Sequence, residues 1–325
     1  MKGLKVLIFT CTLINSSFAQ ELFIQNDPAS NVPQGVLGLR EYNESYKEIN
    51  LYRNLFGLRL MYGLLPKLTI TGTVTVSNHH GKNFPENLVS HVHNGNKTVY
   101  STGNFQRGVV YPYQLGGVYL YAKYRFLTKD NQNQHLRMAT YGEFSFIKVA
   151  HDEAEPNLVD DTKGFGVGLI TTYLKKHFAI SVTTGVIVPG SYNGFSPDAL
   201  GGGLIPTEVE YGKAIKYNLS FGYLLLPLRY ENYKQTNLNL YVEFMGKAYQ
   251  QAKVFQYGGI TSVPIQTPLL KANNYVEVHP GIQAIFNSNL RIDFSIGVPL
   301  INKSYARFYP IYTLGIQRYF YFNKS

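Results

Sequence analysis

Alternation of large apolar residues with charged or small ones recurs along nearly the whole chain, with a period of two. Residues 290–298 (LRIDFSIGV) show it most clearly: each even-numbered position is large and apolar, and each odd-numbered position is charged or small. Because successive side chains of a strand point to opposite faces, this pattern predicts a β-strand with two different faces. We therefore expect an all-β fold.

About twelve such segments can be counted, and their lengths indicate the architecture. Each has about the 9–11 residues that a tilted strand needs to cross a bilayer, or slightly more. The connections alternate between short and long, as the periplasmic turns and extracellular loops of outer-membrane barrels do, so both chain ends are expected in the periplasm. The segments lie near residues 35–44, 50–62, 67–78, 115–127, 135–149, 164–174, 177–188, 210–226, 236–250, 274–286, 289–300 and 306–322.

The N-terminus has the pattern of a secretory signal peptide. Lys2 and Lys5 form a basic start, residues 6–14 are apolar, and residues 17–19 (SFA) form a small-x-small cleavage site. The apolar stretch is much shorter than the ~20 residues of a membrane-spanning helix. We expect cleavage after residue 19, leaving one barrel domain over residues 20–325 that begins with a short periplasmic segment, residues 20–33.

Composition supports an exported chain with much of its surface against lipid. Only 15% of the 325 residues are charged, against ~25% in a typical soluble domain. The single cysteine, Cys11, lies in the signal segment, so we expect no disulfide, thiol nucleophile or cysteine metal site in the mature chain. The formal charge of +10 raises nucleic acid as a partner, but an exported protein has little access to it, so none is expected.

The signal segment, the alternating strands and the aromatic-rich last segment, residues 307–322, together resemble Gram-negative outer-membrane β-barrels, of the Bacteroidota type often described as transporters. Such barrels usually end in an aromatic residue that the barrel-assembly machinery reads; here Phe322 is followed by three more residues. The resemblance implies a transmembrane antiparallel barrel of about twelve strands, in contact with outer-membrane lipid and the assembly machinery. It also implies non-enzymatic transport or surface binding of a small solute or ion.

Other interpretations stay open at this point. A secreted β-sandwich also alternates, but its strands average ~5–6 residues and its outward faces are polar. Some outer-membrane barrels are lipid hydrolases or acyltransferases that use a serine and a histidine at the rim, and others are adhesion or structural proteins. The sequence contains no Gly-x-Ser-x-Gly elbow, phosphate-binding glycine loop or His-Glu-x-x-His helix. No catalytic residue is therefore nominated.

If the apolar face meets lipid, the opposite face lines the lumen and carries most of the charged strand residues. Basic residues exceed acidic ones there, which favours small anions in a water-filled lumen. The alternative is that the charges pair across a narrow interior and only fill it. The expected lumen-lining residues are Arg53, Arg59, Lys123, Arg125, Arg137, Glu143, Lys216, Glu243, Lys247, Glu277, His279, Arg291 and Asp293.

Histidines cluster in the first long extracellular loop, at His79, His80, His91 and His93. Imidazole is a common ligand of zinc and copper, so these four residues are candidate ligands of such an ion, the only cofactor considered for this chain. Loops of adjacent hairpins are neighbours on a barrel rim, so the acidic residues in the region 151–161 could complete the site. Because the spacing matches no named zinc motif, solvated loop histidines are the alternative.

Overall fold

The computed structural model describes residues 22–48, 51–79, 112–147, 154–197, 204–229, 232, 234–256, 259–260 and 270–322. The signal segment and the candidate ligands His80, His91 and His93 lie outside these ranges. In the described ranges, no helix is long and apolar enough to cross a membrane.

Twelve antiparallel strands close into a barrel, as the sequence predicted. The first and last strands pair along their length, from Val36 opposite Tyr321 to Tyr46 opposite Ile311, so the sheet has no free edge. The barrel strands are β1 Val36–Glu48, β2 Leu51–Leu65, β3 Leu68–Ser77, β4 Gln114–Asn131, β5 Gln134–Ser145, β6 Gly164–Lys175, β7 Phe178–Pro189, β10 Ala214–Leu226, β11 Asn237–Tyr249, β14 Asn273–Phe286, β15 Leu290–Ile301 and β16 Ile311–Tyr321.

The two faces of the strands follow the alternation. On β15, Phe294 is 38% exposed and points outward, whereas its neighbour Ser295 is 1% exposed and points inward. The same holds on β2, where Leu58 and Leu60 point outward and Leu55 and Met61 are buried. Because the barrel is closed, its strands pair their backbone groups with one another and leave no free edge exposed to lipid.

Strand β1 departs from this pattern in its second half. Its outward positions there are Glu41, Asn43, Ser45 and Lys47, although the facing strands β2 and β16 carry apolar residues at most of the paired positions. The apolar outer surface is therefore interrupted along one strand.

The sequence missed four short strands in two connections that it treated as loops, residues 189–209 and 251–273. They are β8 Tyr192–Pro197, β9 Leu204–Glu210, β12 Lys253–Gln256 and β13 Gly259–Ile260, and they form a separate four-stranded sheet. Val209 and Val254 of this sheet are buried in the same cluster as barrel residues such as Tyr249 and Ile187. The sheet therefore packs against the extracellular end of the barrel.

Segment 20–33 was expected in the periplasm, but the structure places residues 22–34, here called the N-terminal plug, elsewhere. This stretch lies inside the barrel, where Phe23, Ala29 and Val32 are buried. The physical reason is that inward-facing polar side chains of the barrel satisfy its backbone groups, so the extended segment needs no secondary structure of its own. The plug fills the end of the lumen at which the short turns lie.

Candidate functional site: a chamber between two plugs

Glu243 on β11 holds the first part of the N-terminal plug. Its carboxylate accepts the backbone N–H groups of Ile24 and Gln25 at 2.8 Å and that of Asn26 at 3.0 Å. The Ser220 hydroxyl donates to the same carboxylate at 3.1 Å. Successive backbone N–H groups that converge on one anion form a concave site for negative charge, so the side chain fixes the path of three residues at once.

A second anchor consists of two arginines around one carboxylate. Asp293 lies 2.9 Å from Arg40 and 2.7 Å from Arg291. The remaining donors of these guanidinium groups reach the plug: Arg40 donates to the carbonyl of Ile24 at 3.2 Å, and Arg291 to that of Phe23 at 2.7 Å. These buried charges are therefore committed to positioning the plug.

The rest of the plug follows the wall around the barrel. Lys123 on β4 donates to the carbonyl of Pro28 at 2.6 Å, and the backbone N–H of Ala29 donates to the Thr172 hydroxyl at 2.9 Å. Arg137 on β5 donates to the hydroxyl of Ser30 at 3.0 Å. The plug thus contacts strands on opposite sides of the barrel before the chain enters β1.

Residues 154–163, here called the loop plug, enter the lumen from the other end, between β5 and β6. Glu155 is its main anchor: it accepts hydrogen bonds from Tyr275 and Ser304, both at 2.6 Å, and lies 3.3 Å from Lys247. Leu158 is buried among barrel side chains of the main hydrophobic cluster. The lumen is therefore covered on the extracellular side as well.

A cavity of about 240 Å³, here called the chamber, lies between the two plugs. Ile24 to Asp27 of the N-terminal plug and Pro156 to Val159 of the loop plug lie on its two ends. Three tyrosines of β4 and β5 line one wall, with ring centroids 6.4 Å apart for Tyr119 and Tyr121 and 5.4 Å apart for Tyr121 and Tyr141. The chamber therefore has one aromatic wall.

Glycines of the neighbouring strands make room for this wall. A Cβ atom at Gly168 of β6 would lie 2.5 Å from the Tyr141 hydroxyl, and one at Gly185 of β7 would lie 2.1 Å from it. The two glycines face each other across the ladder. Because no other residue leaves this space, the pair allows the Tyr141 ring to lie close to the backbone.

Charged groups of the chamber occur in pairs. Glu143 accepts a hydrogen bond from Tyr119 at 2.6 Å and lies 3.1 Å from Lys216, whose ammonium group is 5.0 Å from the Tyr141 ring centroid. On β14, which is six strands from β4 in either direction round the barrel, Glu277 lies 3.0 Å from His279. Both sides of the chamber thus carry polar groups beside aromatic rings.

Asp27 brings a carboxylate from the N-terminal plug into this chamber, 3.8 Å from Arg59. Burial by itself would raise the pKa of Asp27, but the nearby charges of Lys123 and Arg59, and of the more distant Arg40 and Arg291, lower this pKa below its ordinary value. Asp27 therefore stays ionised at neutral pH. Its attraction to these cations is lost only as pH falls through the lowered pKa.

The structure places all thirteen expected lumen residues on the inward sides of their strands, but it does not bring them into one site. Glu243, Arg291, Lys123 and Arg137 contact the N-terminal plug, and Asp293 pairs with Arg291 behind it. Arg59, Glu143, Lys216, Lys247, Glu277 and His279 line the chamber. Arg53 pairs with Glu48 near the extracellular end, and Arg125 donates to the carbonyl of Pro66 at a short turn.

The sequence did not identify several residues that line or surround the chamber. Tyr119 and Tyr121 lie at inward positions of a strand that the sequence identified, so the alternation could have nominated them. Asp27 and Glu155 lie in irregular segments, where no periodicity indicates which way a side chain points. Their roles could not be found from the sequence.

Of the four candidate metal ligands, only His79 lies in the described residues. It is buried at the extracellular end of the barrel, with its Nδ1 atom 2.8 Å from a carboxylate oxygen of Asp160. The expectation that the acidic loop could lie beside the first long loop agrees with this position.

Comparison with known proteins shows the fold. No protein-family model and no curated protein matches the chain. An outer membrane channel from Pseudomonas putida F1 is similar in structure over 92% of this chain and 100% of its own, with a TM-score of 0.55 and 13% sequence identity. The NanC porin (88% of this chain, 100% of its own, TM-score 0.41, 8% identity) and outer membrane phospholipase A from Escherichia coli (93% of each chain, TM-score 0.33, 9% identity) are less similar. The chain thus has the fold of Gram-negative outer-membrane β-barrels.

Proposed function

We propose that this barrel transports a small polar organic solute across the outer membrane, through the chamber and without a chemical step on the solute. The observation that carries the proposal is an enclosed chamber in the lumen, with an aromatic wall and paired charges, covered by a plug at each end. The plugs are separate segments rather than parts of the wall. They can therefore be displaced while the strand ladder stays intact.

The size of the chamber limits the solute. The chamber has a volume of about 240 Å³. Pockets for drug-sized ligands occupy ~300–1,000 Å³, so a solute of the size of an amino acid or a monosaccharide fits better. Lipid chains and oligosaccharides are too large for the chamber in this closed arrangement.

The lining defines the chemical class. A planar or ring-shaped group can lie against Tyr121 and Tyr141, since stacked and edge contacts favour rings. Lys216 on one side and Glu277 on the other can hydrogen-bond polar substituents of either sign. We therefore propose a ring-bearing polar solute, such as an aromatic amino acid.

Uptake into lipid vesicles that contain the purified barrel tests the proposed solute. We expect phenylalanine to enter faster than an acyclic amino acid of similar size. Tyr121→Ala should lower this ratio several-fold, because the central ring of the aromatic wall is lost. Tyr124→Ala is the matched control, since Tyr124 lies on the same strand and points outward. Uptake no faster than in protein-free vesicles, or equal ratios for both variants, would contradict the proposal.

Charge selectivity is a separate prediction. Among the described residues, at least six of the eight lysines and arginines in the expected lumen set lie within 4 Å of an acidic side chain, through Glu48, Asp27, Asp130, Glu143, Glu155 and Asp293. Paired charges cancel locally, and only an unpaired basic constriction gives strong selectivity. We expect a weak anion preference, measured as a small reversal potential across a salt gradient in planar bilayers. A strong anion preference would show that the pairs separate in the open state.

A further inference from the structure

His79, Asp160 and Asp161 converge at the extracellular end of the barrel, outside the chamber. His79 follows the end of β3, and the two aspartates belong to the loop plug. All three side chains are more than nine-tenths buried, at 5%, 2% and 6% exposure. One ligand atom from each lies within 4.8 Å of the others. A nitrogen and two oxygens thus face a common point.

The contact between His79 and Asp160 has the distance but not the direction of a hydrogen bond. The Nδ1 atom lies 2.8 Å from Oδ2, yet within the described part of the chain neither carboxylate oxygen of Asp160 accepts a hydrogen bond. A buried carboxylate without hydrogen bonds is costly, and such groups are usually satisfied by a donor or an ion. Two ligand atoms that bind one tetrahedral zinc ion at ~2.0–2.2 Å lie about 3.3–3.6 Å apart, so the Nδ1 and Oδ2 atoms need to separate by about half an ångström to share the ion.

The surrounding structure holds these ligand atoms in place. The carbonyl of Asn157 accepts the N–H groups of Asp161 at 3.0 Å and Thr162 at 2.8 Å, which closes a tight turn around Asp160. The hydroxyl of Thr75, on β3, donates to the carbonyl of Val159 at 3.2 Å. The end of β3 and the loop plug are therefore already in contact beside the three side chains.

We propose that His79, Asp160 and Asp161 bind a divalent transition-metal ion, best matched by Zn²⁺, and that this ion fastens the loop plug to the end of β3. One imidazole and two carboxylates are a suitable set of three protein ligands, with water in a fourth position. Of the four histidines expected from sequence, this set retains only His79, and its two aspartates come from the acidic region 151–161 that could complete the site. The proposal does not depend on the proposed transport.

Calorimetric titration of the purified, folded barrel with zinc, after removal of metal by a chelator, tests the site. We expect one ion per chain. Asp160→Asn and His79→Gln should each weaken zinc binding by about tenfold or more. Loss of a residue that only supports a ligand already lowers metal affinity by ~10–100-fold, and loss of the ligand itself should lower it at least as much. Magnesium, which prefers oxygen ligands, should not compete. Heat-dependent gel mobility shows that each variant is folded.

The matched control is His135→Gln. His135 also lies beside an aspartate, with 3.1 Å between its Nδ1 atom and Asp130, but it is partly exposed and has no second carboxylate. Its replacement should leave zinc affinity unchanged. Equal affinities for the parent and Asp160→Asn would overturn the proposal, as would equal losses for the control and the ligand variants.

A second measurement addresses the fastening role. Lys163 is an exposed trypsin site at the end of the loop plug. Zinc should slow cleavage after Lys163 several-fold in the parent and have no effect in Asp160→Asn. If zinc binds but cleavage is equally fast with and without it, the ion does not hold the plug and this part of the proposal fails.

Discussion

Glu243→Gln is expected to release the N-terminal plug and to raise the conductance of the barrel strongly. The ionised carboxylate accepts three successive backbone N–H groups, from Ile24 to Asn26, in a fully buried position. The glutamine amide offers only one acceptor oxygen, and its NH₂ group would face backbone N–H groups of the plug, which cannot accept a hydrogen bond. Hydrogen bonds to a charged group contribute ~1.5–3 kcal/mol each, so losing even one or two removes much of the attachment.

Planar-bilayer recordings measure this effect as open probability, and hydrogen exchange of the amides of residues 24–26 measures it directly. Both should increase by at least about tenfold, which corresponds to ~1.4 kcal/mol. Glu41→Gln on β1 is the matched control, because this carboxylate is exposed on the outer face of the barrel, away from residues 22–34 of the plug. Unchanged exchange at residues 24–26 in Glu243→Gln would show that other contacts hold the plug.

Phe294→Arg should destabilise the folded barrel by ~2–4 kcal/mol, because an outward cation near the middle of a strand lies at the bilayer midplane. Phe294 is the fifth of the twelve residues of β15 and points outward. Leu300→Arg on the same strand and face lies near the interface, where the cost falls to ~0–1 kcal/mol. The fraction of heat-modifiable barrel during urea titration gives both values.

Equal losses for these two variants would refute the lipid-facing assignment. Ser295→Arg at the neighbouring inward position is an unsuitable comparison. The Ser295 hydroxyl accepts a hydrogen bond from Gln25 at 2.9 Å and the residue is fully enclosed, so an arginine does not fit. Overpacking alone costs ~1–3 kcal/mol and would hide the effect of lipid.

The sequence predicted the barrel strands well because each strand separates lipid from lumen. Lipid-facing positions are apolar and lumen-facing positions are polar or small, so the two kinds alternate along a strand, as at Phe294 and Ser295. The twelve expected segments match the twelve barrel strands within a few residues. The number of strands, and whether each charged strand residue faces lipid or lumen, follow from this periodicity alone.

The plugs could not be predicted in the same way. Their residues form no periodic element, and their partners are side chains far along the chain: Asp27 meets Arg59, and Glu155 meets Lys247 and Ser304. A surplus of basic residues on the strands therefore looked like an unbalanced lumen. Of the acidic partners absent from the expected lumen set, Asp27 and Glu155 lie in irregular segments, where composition gives no direction to a side chain, whereas Glu48 and Asp130 lie at strand ends.

The position of the N-terminal plug in the chain has a consequence for the order of assembly. It is the first described segment, yet Ile24 contacts Glu243 at a separation of 219 residues, and Gln25 contacts Thr313 at a separation of 288. These contacts cannot form until the C-terminal strands are present, and closing so long a segment of chain is slow. The N-terminal plug is therefore fixed in the lumen only after the C-terminal strands have joined the barrel.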